Sequence, residues 1–263
     1  MNEAFQIAAT GLQAQQVQVR TLAGNLGNMA TPGYKRVKLG FADLVGRALA
    51  PDATAPLDQG LNSAPAVPWP MGVMVASSVH SFEPGEFRKT GAALDVAIRG
   101  AGFLEVSNPD GSVAYWRGGT LLPGPDGQLT TRTGQTLRPG ITIPENAQSL
   151  VIAPEGQVRF TVAGQTQAVE AGTLQMVQFT NPEALESAGD NLWRATEASG
   201  AARSQAPGDN GSGLLAQGYL EGSNVQMVDE MLGLVMAQNA YGACLKVVQA
   251  ADEMTGLVNN LRR

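Results

Sequence analysis

Both ends of this chain repeat apolar residues at alternating spacings of three and four, and the long middle does not. At the N-terminal end Phe5, Ala8, Leu12, Gln15, Val19, Leu22, Leu26 and Met29 form a heptad seam in which only Gln15 is polar. A helix over this stretch would be about 44 Å long. Thr31-Pro32-Gly33 is expected to end it. The residue before a proline is pushed out of the helical region, and a glycine permits the turn. From Val225 to Leu261 there is no proline. One seam runs through Met231, Leu234, Gln238, Tyr241, Leu245 and Val248, and an offset seam through Val247, Ala250, Met254, Leu257 and Leu261. Asn224 is expected to cap this helix. Asp229 and Glu230 fall in its first turns and Arg262 and Arg263 at its end, as the helix dipole favours.

The faces opposite these seams are unusual for helices bathed in water. Residues 4–19 and 231–245 contain no charged side chain. A solvated helix normally carries oppositely charged pairs one turn apart. Neutral faces of Ala, Gln, Gly, Thr and Asn suit contact with other protein on several sides. Gly11, Gly24, Gly27, Gly233, Gly242 and Gly256 lie within the helical patterns. Each costs about 1 kcal/mol relative to Ala, so the helices are expected to depend on packing.

The middle reads as β structure. Alternating segments occur at 72–76, 94–98, 102–106, 112–116, 150–152, 158–162 and 174–179, and Pro-Asp-Gly or Pro-Glu-Gly turns recur at Pro109, Pro125 and Pro154. Residues 199–213 read as a loop. Five prolines and little periodicity mark 46–70 as an extended linker. The expected fold is α+β: a discontinuous, coiled-coil-like module of two long terminal helices (1–45 and 220–263), a linker (46–71) and an inserted mainly-β domain (72–219).

Composition removes most chemistry. The chain has one histidine, His80, and one cysteine, Cys244. A structural zinc site needs about four such ligands, and no intrachain disulfide can form. His80 reads as a strand or loop residue and Cys244 as a buried helix residue. Gly100-Ala101-Gly102 lies between strands rather than opening a helix, so it fails as a nucleotide loop. Asp190 and Asp209 sit in turns, and Glu83 and Glu86 flank Gly85 without a catalytic setting. The expectation is no catalytic residue, no metal and no cofactor. The net charge of −6 divides into +3 over residues 1–50, −7 over 51–219 and −2 over 220–263. No basic stripe serves a nucleic acid, and Lys35, Arg36 and Lys38 read as a solvated surface. No run of 18 apolar residues suggests membrane insertion, and Met1–Gln6 lacks the features of a cleaved signal.

The motifs carry a family resemblance. Asn25-Leu26-Gly27-Asn28-Met29-Ala30-Thr31-Pro32-Gly33-Tyr34-Lys35 resembles the signature of the flagellar rod and hook axial proteins. A second block, Thr90-Gly91 with Leu94-Asp95-Val96-Ala97-Ile98 and Gly100, Gly102 and Phe103, is similar to that family's second motif. A third, Gly218-Tyr219-Leu220-Glu221-Gly222-Ser223-Asn224-Val225, is similar to its third. The blocks span the chain in order. The proline-rich stretch and Ile141-Thr142-Ile143-Pro144 most resemble distal-rod members, with proximal rod and hook proteins as alternatives. Gly24, Gly27, Asn239 and Gly242 depart from the family pattern.

The resemblance implies a structural subunit of a hollow, torque-transmitting shaft. Its implied partners are copies of itself, other rod proteins below, hook and junction proteins above, the P- and L-ring bushing, and the flagellar export apparatus. It implies a basal-body rod spanning the periplasm and export without a cleaved signal. The terminal helices would then line the core of the tube, with assembly through the seam residues named above. The reading from a different class is an exported β-rich binding module whose helices merely dimerise.

Overall fold

The computed structural model describes residues 2–46, 69–144, 146–162 and 167–261. The patterned ends form two helices, α1 (Asn2–Gly27) and α2 (Met227–Leu261), and the chain between them is mainly β, so the fold is α+β. By contact, the chain divides into two units. One holds Met1–Leu26, Val37–Val79 and Met227–Arg263, and the other holds Gly27–Arg36 and His80–Gln226. These boundaries differ from those expected. Residues 27–36 and 220–226 group with the β unit, and 72–79 groups with the helices.

In the helical unit, α1 ends at Gly27, and Asn28 accepts from the Thr31 N–H in the turn that follows. Met29, expected inside the helix, lies in that turn. Two strands follow, β1 (Val37–Gly46) and β2 (Trp69–His80), paired in a two-stranded sheet. They extend into both ends of the expected linker, whose residues 47–68 lie outside the described ones. The helices run antiparallel. Gly11 faces Cys244, Leu22 faces Gly233, and the Asn25 Nδ2 donates to Glu230 Oε2 at 3.1 Å. Each step forward along α1 is thus matched by an equal step back along α2.

The buried positions on these helices are small or polar: Ala8, Ala14 and Asn25 on α1, and Glu230, Ala237 and Ala251 on α2. A Cβ on Gly11 would already sit 3.4 Å from the Cys244 Sγ, and one on Gly233 3.3 Å from Leu22. Close approach therefore selects small residues and turns larger ones aside. Of the expected N-terminal seam, Ala8 alone is buried, while Phe5, Leu12, Gln15, Val19, Leu22, Leu26 and Met29 are half-buried. On α2, Leu234, Tyr241 and Val248 are half-buried. Met231, Gln238, Leu245, Val247, Ala250, Met254 and Leu257 are exposed, and the side chain of Leu261 lies outside the described residues.

Two further expectations are corrected here. Asn224 does not cap α2, which starts at Met227; its amide is engaged elsewhere, as described below. Within Met227–Leu257, a stretch of 18 residues reaches a mean hydropathy of 1.3, enough to cross a membrane by length and composition alone. Counting an uninterrupted apolar run overlooked it, because Gln238, Asn239 and Lys246 break the run while the surrounding Leu, Val, Met and Ala keep the average high.

Among the described residues the β unit contains sixteen strands: β3 (Phe87–Lys89), β4 (Asp95–Arg99), β5 (Phe103–Ser107), β6 (Val113–Trp116), β7 (Gly118–Pro123), β8 (Leu129–Thr131), β9 (Thr136–Leu137), β10 (Ala147–Ile152), β11 (Gln157–Val162), β12 (Ala168–Thr173), β13 (Met176–Gln178), β14 (Glu186–Gly189), β15 (Leu192–Arg194), β16 (Arg203–Gln205), β17 (Leu214–Gln217) and β18 (Tyr219–Glu221). An eleven-stranded sheet runs β14-β15-β6-β5-β9-β8-β7-β4-β17, with β13 joining β5 to β16. A three-stranded sheet holds β10-β11-β12, and β18 pairs with β3. The segment 199–213, expected as loop, contributes β16.

Alternation along these strands sends Val96, Ile98, Leu104, Val106, Leu121, Leu129 and Leu137 into one core. Phe103, Tyr115 and Trp193 lie in a second, aromatic cluster packed edge-to-face with Phe82 and Phe179. Leu104 is fully buried. Leu104→Ala is expected to destabilise the β unit by about 3 kcal/mol, read as a lower urea midpoint.

Candidate assembly surface

The helical unit leaves its large apolar side chains in the open. Along α2, Val228 is 77% exposed, and Met231, Leu232, Val235 and Met236 continue from it at helical spacing. Phe41 on β1 and Met71 and Met74 on β2 are exposed as well. Exposed apolar residues gathered in this way mark a surface suited to contact with protein or membrane. A groove of about 470 Å³ lies on the same unit, lined by Ile7, Ala8, Gly11, Gly72, Val73, Cys244 and Val247. Its walls are apolar, and Cys244 is half-buried within it. No charge occurs between Met231 and Leu245 to oppose such contact.

Asn25 organises the start of β1. Its amide accepts from the Val37 N–H and donates to the Val37 C=O, both at 3.0 Å. It therefore acts as a piece of strand pairing offered by a helix.

The remaining motif residues meet in the β unit, although they come from three distant parts of the sequence. Gly33 donates its N–H to the Glu221 carbonyl at 2.7 Å, with a φ of +74° that favours glycine. Pro32 accepts at its carbonyl from Asn191, and Thr31 accepts from the Tyr34 N–H. Arg36 donates its N–H to the Asn224 Oδ1 at 2.7 Å, and the Asn224 amide donates to the carbonyls of Ser81 and Glu83. Ser223 accepts at its hydroxyl from the buried Val225 N–H. From the middle block, Leu94 packs against the main core, and Asp95 accepts from Thr90 and Thr120. The carbonyls of Gly100 and Gly102 accept from the Arg117 guanidinium, which lies over the Phe103 ring.

Lys35 is not part of a solvated cluster. It is 1% exposed, and its Nζ donates to Glu221 Oε1 at 2.7 Å and to the Glu83 carbonyl at 2.9 Å. Arg117 Nε lies 3.4 Å from the other Glu221 oxygen. Burial pushes the Lys35 amine and the Arg117 guanidinium below their usual ranges, and Glu221 opposes both shifts. A lysine in a run of basic residues reads as surface. The signal for burial was its pairing across 186 residues, which local sequence does not reveal.

His80 packs edge-on to Trp193, and burial lowers its pKa below 6.5, partly offset by a hydrogen bond to the Lys35 carbonyl. The folded chain thus keeps His80 neutral where the unfolded chain takes up a proton. Stability is expected to fall as pH drops through 6.5 toward the folded pKa. His80→Phe should flatten this slope, measured as urea midpoints at pH 7.5 and 5.5.

Among the described residues no group of His, Cys, Asp and Glu could hold a metal ion.

Comparison with known proteins gives this surface a family. Residues 5–35 match the family described as "Flagella basal body rod protein", residues 97–160 the "Flagellar hook protein FlgE/F/G D1 domain", and residues 216–261 the "Flagellar basal body rod FlgEFG protein C-terminal". The chain is 38% identical to the flagellar basal-body rod protein FlgG of Caulobacter vibrioides, over 99% of both chains. The chain belongs to the flagellar basal-body rod protein family. It is also 37% identical to FlgG of Buchnera aphidicola from Acyrthosiphon pisum, over 97% of this chain and 98% of that one. With FlgG of Borreliella burgdorferi the identity is 35% over the full length of both. The family is structural and not enzymatic. Its three matched regions contain the three motif blocks or overlap them.

Proposed function

We propose that the chain is a distal-rod subunit, assembling with copies of itself into a hollow helical shaft that transmits torque from motor to hook and passes exported subunits. The observation that carries this reading is the row of exposed Val228, Met231, Leu232, Val235 and Met236 on α2, a helix that carries no charge from Met231 to Leu245. The same unit also carries an apolar groove with different lining residues. Two distinct apolar surfaces, if one seats the other in a neighbouring copy, generate an open-ended helical assembly rather than a closed dimer. The apolar length of Met227–Leu257, compatible with a membrane, is used here for protein contact. In the assembly the two terminal helices form a coiled-coil-like core module.

The seam residues Phe5, Leu12, Val19, Leu22, Leu26, Met29, Met231, Leu234, Tyr241, Leu245, Val248, Met254, Leu257 and Leu261 are proposed to be buried between subunits. The motif residues fix the strands at the base of the β unit. The partners are other rod proteins below, hook and junction proteins above, the P- and L-ring bushing around the shaft and the flagellar export apparatus. Its place is the rod across the periplasm, reached without a cleaved signal.

The test is electron microscopy of the purified full chain raised in concentration. Straight filaments support the reading, and a finite dimer at every concentration would replace it with the dimerising module. Shortening residues 46–70 is expected to give a more flexible tube, and unchanged straightness would remove that stretch from the account of rigidity.

A further inference from the structure

We propose that Glu221 is the closing residue of the β unit, so that this unit acquires its stable fold only once the segment just before α2 is in place. The inference concerns folding order and stands whether or not the chain builds a rod. Glu221 sits 221 residues into the chain, yet its one carboxylate serves three earlier segments. It accepts from Lys35 at 2.7 Å and from the Gly85 N–H at 3.0 Å, and it pairs with Arg117 at 3.4 Å. The side chains of Lys35, Arg117 and Glu221 are 0%, 3% and 2% exposed.

Glu221 is therefore the anion that both buried cations share, and its pull on Lys35 exceeds that of the Glu83 carboxylate. Until Glu221 arrives, Lys35 and Arg117 cannot both be buried as charges without a heavy desolvation penalty. Arg117 keeps the carbonyls of Gly100 and Gly102 as acceptors, and Lys35 keeps that of Glu83 with a weaker attraction from the Glu83 carboxylate, but carbonyls alone neutralise no charge. The backbone repeats the dependence. Gly33 N–H and Gly222 N–H bond across to the carbonyls of Glu221 and Glu86, and β18 pairs with β3 in register from Tyr219 opposite Lys89 to Glu221 opposite Phe87. A side chain at Gly85 would collide with the Gly222 backbone, so the close approach that lets the Gly85 N–H reach the carboxylate requires glycine. β17, one residue before β18, is the terminal strand of the large sheet and pairs with β4, which in turn pairs with β7, so the closure is passed into that sheet.

The device keeps an incomplete or partly threaded chain open in its β unit and locks the complete one. The test is hydrogen exchange on full-length Glu221→Gln, which keeps the shape and removes the charge. Amides of β4 and β17 are expected to exchange at least about a hundred-fold faster than in the parent chain. Lys35→Met combined with Glu221→Gln is expected to recover a large part of that loss, because one of the two unmatched cations is gone. Arg138→Ala, which removes an exposed ion pair with Glu105 in the same sheet, serves as the control and should leave β4 unchanged. Faster exchange confined to residues 33–36 and 83–86, with β4 protected, would overturn the proposal by making the cluster a local brace. So would a double variant no better than Glu221→Gln.

Discussion

Leu245→Glu is expected to abolish filament growth while moving the melting temperature of the monomer by no more than about 2 °C, because exposed substitutions usually change stability by under about 0.5 kcal/mol. Leu245 is 38% exposed on α2, and its neighbour Cys244, not Leu245, faces Gly11 across the helix pair. A glutamate here stays in water in the monomer. In an assembled shaft it would be carried into the uncharged environment built by residues 231–245, with no cation among them to pair with. An unpaired carboxylate buried at an interface costs about 3 kcal/mol or more, roughly a 150-fold rise in the concentration needed for growth. Every subunit repeats the defect, so the loss does not dilute along the filament. Sedimentation of the assembled fraction and thermal unfolding of the same variant decide the matter together. Growth at the parent concentration would remove Leu245 from the assembly surface. A melting temperature that falls in step with assembly would place it in the intrachain helix contact instead.

The sequence made the helices legible because heptad spacing survives in any context, and the family legible because its three blocks are colinear. It hid which face of each helix meets the other. Large apolar residues dominate a periodicity count, but the antiparallel pair closes on Ala8, Gly11, Ala14, Gly233 and Ala237, which carry little hydrophobic weight. The absence of charge on the opposite faces was the better guide to where large side chains go, since those faces are exposed within one chain. Strand β1 was invisible because Val37–Gly46 carries Lys38 and Asp43 and gains its place from the Asn25 amide rather than from alternation. The motif site was half legible. Its residues could be named, but Lys35 and Asn224 were read from their neighbours, as surface charge and helix cap. Both are held by partners more than 140 residues away.

Asn25→Leu is expected to lower the stability of the helical unit by about 3 kcal/mol, since hydrogen bonds contribute about 1 kcal/mol each and more where a charged partner or a buried group is left unmatched. Asn25 is 1% exposed, and its amide bonds include two to the Val37 backbone and one to Glu230. Leucine fills much of the same volume but offers none of them. The loss should appear as a lower midpoint in the thermal transition followed by helical circular dichroism. Asn25→Asp separates this account from simple repacking. It keeps an acceptor for the Val37 N–H, loses the donor, and sets a second carboxylate against Glu230. At neutral pH it should therefore be less stable than Asn25→Leu, because like charges at hydrogen-bond distance repel strongly in a buried site. Equal midpoints for both variants at neutral pH would show that Asn25 serves as packing alone, and that β1 is held to the helices by something other than its amide.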